Sequence, residues 1–362
     1  MTTKIMTDLS LAGWNADLAA TFAGLAAPEL VPGRVALEHN HVYRVLTAEG
    51  EWLAQAAGRL KFEASGREQL PAVGDWVGLR PPAGSDALSL IRLILPRRSA
   101  FSRRAAGRGT EEQVVAANID HVFLVSSLDL PPKLRAIERY LVLARQSGAA
   151  PVVVLNKADL ADDLASALAA VTSVAPDVPV HAVSALDGGG FEWLDAYLGA
   201  GRTIALLGPS GSGKSSIVNR LAGQDLLRTG AVRSWDARGR HTSVHRELIV
   251  LERGGVLIDT PGMRELQLWE PDAGLDETFA DVETLSASCR FRDCRHEQEP
   301  GCAVKAAVEA GELDAARYDS YLQLSHERQA FGAQQAERAL IDEKRQGKIG
   351  GKGYRALQKR RR

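Results

Sequence analysis

Apolar positions set the first division of the chain. From Arg34 to Arg98 they fall in short runs, VALEHNHVYRVLTA, WLAQAAGRL, DWVGLRP and LSLIRLILP, separated by turn residues at Gly50, Gly74, Pro81, Pro82 and Gly84. Runs of this kind predict short strands, and strands at this spacing predict a small β-barrel of the OB type. Closing the sheet removes its edges, which lets so short a stretch hold together. From Ala117 the pattern changes. The apolar runs IDHVFLVSS, PVVVLNK, VPVHAVSA, RTIALLG, ELIVLE and GVLID read as strands, and helical segments such as KLRAIERYLVLARQSG and SSIVNRLAG lie between them. This alternation predicts a doubly wound α/β domain. Beyond Trp269 the pattern is helical, with a long polar helix expected over 314–343. The expected organisation is an N-terminal extension over 1–33, a barrel over 34–106, an α/β domain over 107–268 and a C-terminal region over 269–362.

Composition changes this picture little. The 362 residues are 45% hydrophobic and 25% charged, the profile of a globular protein, which excludes disordered and fibrous classes. No stretch reaches the ~18 uninterrupted apolar residues of a membrane span. Residues 18–28 (LAATFAGLAAP) imitate the apolar part of a signal peptide, but Asp8 and Asp17 sit where such a peptide is basic. The expectation is a cytoplasmic protein, monomeric, with no membrane partner.

Charge changes it more. The formal net charge of −1 hides two blocks: residues 92–108 hold six arginines and no acid, and residues 344–362 hold nine Lys/Arg and no acid. Blocks of one sign read either as surfaces for phosphate backbones or as solvated basic segments. The cysteines are equally segregated. Cys289, Cys294 and Cys302 are the only three in the chain, and His296 falls among them as C-x4-C-x-H-x5-C. Three thiols cannot all pair as disulfides, whereas three cysteines and a histidine complete a tetrahedral Zn²⁺ site. Four protein ligands leave no open position, so the expected zinc is structural.

The candidate chemistry lies in the α/β segment. Gly208-Pro209-Ser210-Gly211-Ser212-Gly213-Lys214-Ser215-Ser216 fits G-x-x-x-x-G-K-[ST] between a strand and a helix. Its backbone N–H groups and helix N-terminus suit phosphate oxygens. Lys214 is expected on the β- and γ-phosphates, as a catalytic cation, and Ser215 on Mg²⁺. Asn156-Lys157-Ala158-Asp159 ends the strand PVVVL and fits the guanine-reading N-K-x-D. Asp159 can accept from the ring N–H and the 2-amino group of guanine, donors that adenine lacks. Ser184-Ala185-Leu186 fits the supporting S-A-x loop. Asp259-Thr260-Pro261-Gly262 fits D-x-x-G, with Asp259 expected near Mg²⁺ and the Gly262 N–H at the γ-phosphate. In Gly239-Arg240-His241-Thr242-Ser243, a hydroxyl from Thr242 or Ser243 would complete the Mg²⁺ shell. Met263 stands after D-x-x-G, where a water-orienting side chain is common. The nearest replacement is His241, which reads equally as a loop residue. Slow intrinsic hydrolysis, accelerated by a partner, is expected.

The motif order is permuted: N-K-x-D and S-A-x precede the phosphate loop, and D-x-x-G follows it. The cyclic order is intact, and the segment that shifts on hydrolysis now leads into the cysteine region. With AVGDWV, LPRRSAFSRR, AANIDHVFLV, LNKADL, GPSGSGKSS, GRHTS, DTPGMRE and CRFRDCRHEQEPGCAV, the chain resembles the circularly permuted GTPases of small-ribosomal-subunit biogenesis over nearly its whole length. The resemblance implies binding of GTP and GDP, of a late 30S particle and of its 16S rRNA, with hydrolysis stimulated by that particle. The family often has further threonines at the positions of Ser243 and Val244, so the resemblance leaves the Mg²⁺ hydroxyl open between Thr242 and Ser243. Two rivals remain. One is an RNA-binding assembly factor whose nucleotide site is regulatory. The other is an ATP-dependent kinase, which Asp159 argues against.

Overall fold

The barrel is built from β1 (Val31–His39), β2 (Val42–Thr47), β3 (Gly50–Ala56), β4 (Trp76–Arg80) and β5 (Ser89–Ile94). Helix α1 (Ala16–Leu25), capped by Asn15, precedes it, and the short α2 (Gly58–Glu63) follows β3. The strand order is β1-β2-β3-β5-β4, and β4 pairs back onto β1, so the sheet closes. The single run VALEHNHVYRVLTA divides into β1 and β2 because Asn40 and His41 take left-handed φ values of 49° and 63°, a pair that turns a hairpin tightly. Val35, Tyr43, Val45, Ala54, Val77, Leu79 and Ile91 alternate inward and fill the barrel. This computed structural model describes residues 8–82, 84, 87–104, 112–199, 201–223, 247–252, 254–259, 273–330 and 332–333.

The hairpin of β6 (Ala100–Arg104) and β7 (Glu112–Ala117) leads to the α/β layer. There follow β8 (His121–Ser127), α3 (Leu134–Gln146), β9 (Ala150–Asn156), α4 (Leu164–Val174), β10 (Val180–Val183), β11 (Thr203–Leu207), α5 (Lys214–Ala222), β12 (Glu247–Val250) and β13 (Val256–Asp259). The order is β10-β9-β8-β11-β13-β12. All neighbours are parallel except β12 and β13, which run antiparallel across a short turn. The sequence expectation of helices between strands therefore fails for the last pair, where too few residues separate them for a crossover.

Barrel and α/β layer share one eleven-stranded sheet and form one compact unit. Two devices join them. A bulge between Val35 and Leu37 re-aims β1: before it the strand pairs with β4, and after it Leu37 pairs with Glu247 of β12. The second is Arg34, fully buried on β1. Its guanidinium donates to the carbonyls of Ala12, Gly74 and Asn118 and to Thr203 Oγ1 of β11 at 2.8 Å, and it lies 5.2 Å from the Trp76 ring centroid. Burial pulls its pKa down to about 10, still far enough above neutrality to keep the charge.

The arginines of the 92–108 block do not form one free basic rim. Arg97 makes a bidentate pair with the fully buried Asp75, both hydrogen bonds at 2.8 Å. Arg92 lies 3.8 Å from Glu29 and Arg98 3.3 Å from Asp120. A local charge count misses this because the acids come from distant parts of the chain. Burial opposes charge on Arg97, but the hydrogen bonds and charge of Asp75 more than offset it and raise its pKa. Arg97→Ala would strand Asp75 in the core. Urea unfolding should show a loss of about 3–5 kcal/mol, against nearly none for the exposed Arg59→Ala.

The second unit begins at residue 268. It contains α6 (Ala273–Thr278), α7 (Ala280–Ser286), α8 (Ala303–Ala310) and a helix over 315–330. Arg317 ties the last to α7 through Asp281 at 2.6 and 2.8 Å and stacks on Phe279 at 4.8 Å. The end expected for this helix at 343 lies outside the described residues. So does the basic segment 344–362. Among the described residues no helix is long and apolar enough to cross a membrane.

Candidate nucleotide site and metal centre

Parallel strands carry their following loops to one end of the sheet, and the motif residues arrive there from β9, β10 and β11. The phosphate loop leaves β11 and enters α5 at Gly213, whose φ is +89°. A Cβ on Gly208 would meet the Val125 carbonyl oxygen at 2.2 Å, so glycine is needed for the loop to pass β8. Lys214 Nζ reaches the loop's own carbonyls at Gly208 (2.8 Å) and Pro209 (2.7 Å). Ser212 is buried and turns the loop through its Pro209 contact, while Pro209, Ser210 and Gly211 are exposed. Ser215 and Ser216 begin α5 and are half-buried.

Asn156 joins three loops. Its buried Nδ2 donates to the Ser212 carbonyl at 2.9 Å, and its Oδ1 accepts from the Ala185 N–H at 3.1 Å. Its own carbonyl accepts from the Leu128 N–H at 2.8 Å. The Ala185 N–H is thus engaged by Asn156 within the S-A-x loop. Lys157 adopts a left-handed φ of 63°, unusual for a side-chain-bearing residue and of the kind found where function sets the backbone. Its Nζ pairs with Asp129 at 2.6 Å. That hydrogen bond, with a second from Ser127, holds the Asp129 carboxyl below its usual value. Asp159 follows in a single 3₁₀ turn over Ala158–Leu160. Among the described residues no hydrogen bond or ion pair engages its carboxylate.

These residues enclose a cleft of about 720 Å³ lined by Asn156, Lys157, Asp159, Ala185, Gly213 and Ser216. Leu160, Leu186, Asn219, Arg220 and Gly223 complete its wall. Sequence motifs miss Asp129, Asn219 and Arg220, which belong to no pattern and join the site through strand adjacency and helix phase. Asp259 ends β13, the strand beside β11. His241, Thr242, Ser243 and Gly262 lie outside the described residues. A Cβ on Gly213 would come 2.0 Å from Asn156 Nδ2. Gly213→Ala should therefore weaken GDP binding by about tenfold or more in a titration, while Gly223→Ala, with open space around its Cβ, should cost much less.

In the second unit Cys289, Cys294, His296 and Cys302 place their ligand atoms within 4.8 Å of one another. His296 Nδ1 lies 3.6 Å from Cys289 Sγ and 3.4 Å from Cys302 Sγ, and those two sulfurs are 3.9 Å apart. A tetrahedron with Zn–S of about 2.3 Å and Zn–N of about 2.0 Å has edges of about 3.8 Å between sulfurs and about 3.5 Å from sulfur to nitrogen. The donor set fits a metal of that size. Burial lowers the His296 pKa, favouring the neutral ring a metal requires, and Ser286 Oγ lies 3.1 Å from its other nitrogen. Backbone N–H groups of Ala303 and Lys305, at the start of α8, point at the sulfurs of Cys289 and Cys302.

The comparisons with known proteins agree with this geometry. The family model described as RsgA GTPase matches residues 94–269. A small ribosomal subunit biogenesis GTPase RsgA of Opitutus terrae is 48% identical over 340 residues, covering 92% of each chain. The chain belongs to the RsgA GTPase family. An RsgA of Streptomyces coelicolor is 42% identical over 349 residues, covering 94% of this chain and 93% of the other. Two crystal structures share the fold. YjeQ from Thermotoga maritima has a TM-score of 0.60 at 27% identity, covering 82% of this chain and 98% of its own. YloQ, titled a circularly permuted GTPase, has a TM-score of 0.55 at 26% identity, covering 84% and 96%. As an RsgA GTPase the chain has a permuted G domain, and β12 and β13 follow the phosphate loop while β9, the strand that ends in N-K-x-D, precedes it.

Proposed function

We propose that this RsgA-family GTPase binds the small ribosomal subunit late in its maturation, hydrolyses GTP to GDP and phosphate when that particle stimulates it, and then leaves. The relatives' own name, small ribosomal subunit biogenesis GTPase, supports the partner and a cytoplasmic site of action. The observation that carries the nucleotide reading is Asn156, one buried amide holding the base-reading strand, the S-A-x loop and the phosphate loop around a single cleft. In this reading Asp159 selects guanine and the Lys157 stem packs along the base. The loop from Gly208 to Ser216, with Lys214, holds the phosphates. Ser215 and Asp259, with Thr242 or Ser243, hold Mg²⁺, which neutralises phosphate charge. Gly262 senses the γ-phosphate, and His241 replaces the absent water-orienting side chain. Cys289, Cys294, His296 and Cys302 hold one structural Zn²⁺. The protein works as a monomer whose barrel and C-terminal segments meet 16S rRNA, and its functional domains follow the boundaries near residues 33, 106 and 268.

The test is GTP turnover by the purified chain with and without 30S subunits. Slow turnover alone, raised at least tenfold by subunits, is expected. Fast turnover that subunits leave unchanged would sink the reading. GTP-dependent binding without hydrolysis would favour the regulatory alternative.

A further inference from the structure

The sheet that crosses from the barrel into the nucleotide domain contains one row of residues with an unassigned role. Arg44 on β2 stands opposite Leu37 on β1, Leu37 opposite Glu247 on β12, and Glu247 opposite Asp259 on β13. Directly opposed residues on antiparallel strands share a face, so the row runs unbroken from the barrel to the first residue of D-x-x-G. Among the described residues Leu37↔Glu247 is the single register pair between the two layers along this edge. The Arg44 guanidinium reaches over Leu37 and forms an ion pair with the Glu247 carboxylate, adding a side-chain tie to that backbone one. Arg44 also lies 3.8 Å from Glu51 of β3, so the tie is anchored on a third barrel strand. Without the barrel, β12 would be the outer strand of the α/β sheet, free to fray, and β12 supports β13 through only four paired residues.

We infer that Arg44 is a positioning residue for the GTPase reaction: its pair with Glu247 fixes the β12–β13 hairpin and so sets where the backbone at Asp259 stands, coupling the barrel to the strand that ends in D-x-x-G. A barrel engaged by the ribosomal particle would act on the nucleotide through this row. That last step rests on the function proposed above, and the row itself does not.

The experiment compares wild type, R44A, E247A, the double variant and the charge-swapped R44E/E247R, all as full-length protein. Two readouts are taken: amide hydrogen exchange at 247–250 and 256–259, and steady-state GTP hydrolysis with 30S subunits. R44A should speed exchange in the hairpin about threefold to fivefold, the scale of a partly exposed ion pair, and leave β8 and β9 unchanged. It should lower kcat in the presence of subunits with KM for GTP within about twofold. The double variant should be no worse than R44A, and the charge swap should recover both readouts. Wild-type exchange in R44A, or losses that simply add in the double variant, would overturn the coupling. If subunits fail to stimulate even the wild type, the proposed function falls, and the exchange data alone then decide for or against the row.

Discussion

Asp159→Asn should lower affinity for GDP by about 10⁴-fold while restoring tight binding to xanthosine diphosphate. In the proposed reading the carboxylate accepts from two guanine donors, the ring N–H and the 2-amino group. An amide replaces one acceptor with a donor, which faces the 2-amino group and leaves both unpaired once the bound base covers them. Xanthine carries a carbonyl where guanine carries that amino group, so the amide pairs with it. The cleft supports this, since Asp159 lines it and no described residue takes its carboxylate. A fluorescence titration with GDP, xanthosine diphosphate and ADP reads the result. Equal loss for all three would mean that Asp159 shapes the loop and does not read the base. Loss of the Lys157–Asp129 pair by Asp129→Ala should raise the GDP dissociation rate without changing which base is chosen, because Asp129 holds the stacking side chain and not the reading one.

The second large effect concerns the metal centre. Stripping the metal with a strong chelator, or substituting Cys302→Ser, should unfold the second unit and leave GDP binding by the first intact. Structural zinc contributes about 10–16 kcal/mol to domains of this type, more than a small helical unit holds without it. Cys302 is one of the four clustered donors and also the cap of α8, accepting from the Lys305 N–H; a serine hydroxyl can keep the cap but is a poor zinc ligand, so the variant isolates the metal's contribution. Metal analysis should give one zinc per chain, and circular dichroism should lose helix on chelation. Unchanged helicity after complete metal loss would contradict a structural role.

Much of this molecule is legible in its sequence because its signals are local. The phosphate loop, N-K-x-D and the cysteine cluster each occupy a few consecutive residues, and strand alternation tells where the fold carries them. The barrel is legible for the same reason, but the turn at Asn40 and His41, which carries no glycine or proline and splits one apolar run into two strands, is not. What the sequence hides is non-local. Six arginines without a nearby acid suggest a free basic rim, yet Asp75, Glu29 and Asp120 come from elsewhere to meet three of them. Arg34 reads as an ordinary strand residue, and its burial among three carbonyls and a hydroxyl from four segments follows only from the fold. Asp129 reaches the site by strand adjacency and Arg220 by its phase on α5, for which no motif exists. The boundary expected near residue 106 marks a change of pattern, but the sheet runs through β1 and β12 across it, since pairing between distant strands leaves no mark in composition.

The central claim is that GTP sets whether this protein sits on the small ribosomal subunit. Co-sedimentation of the full chain with 30S subunits, in GDP, in a non-hydrolysable GTP analogue and without nucleotide, tests it most directly. The account predicts stoichiometric binding with the analogue and release with GDP. Equal binding in both nucleotides, or binding in neither, would contradict it.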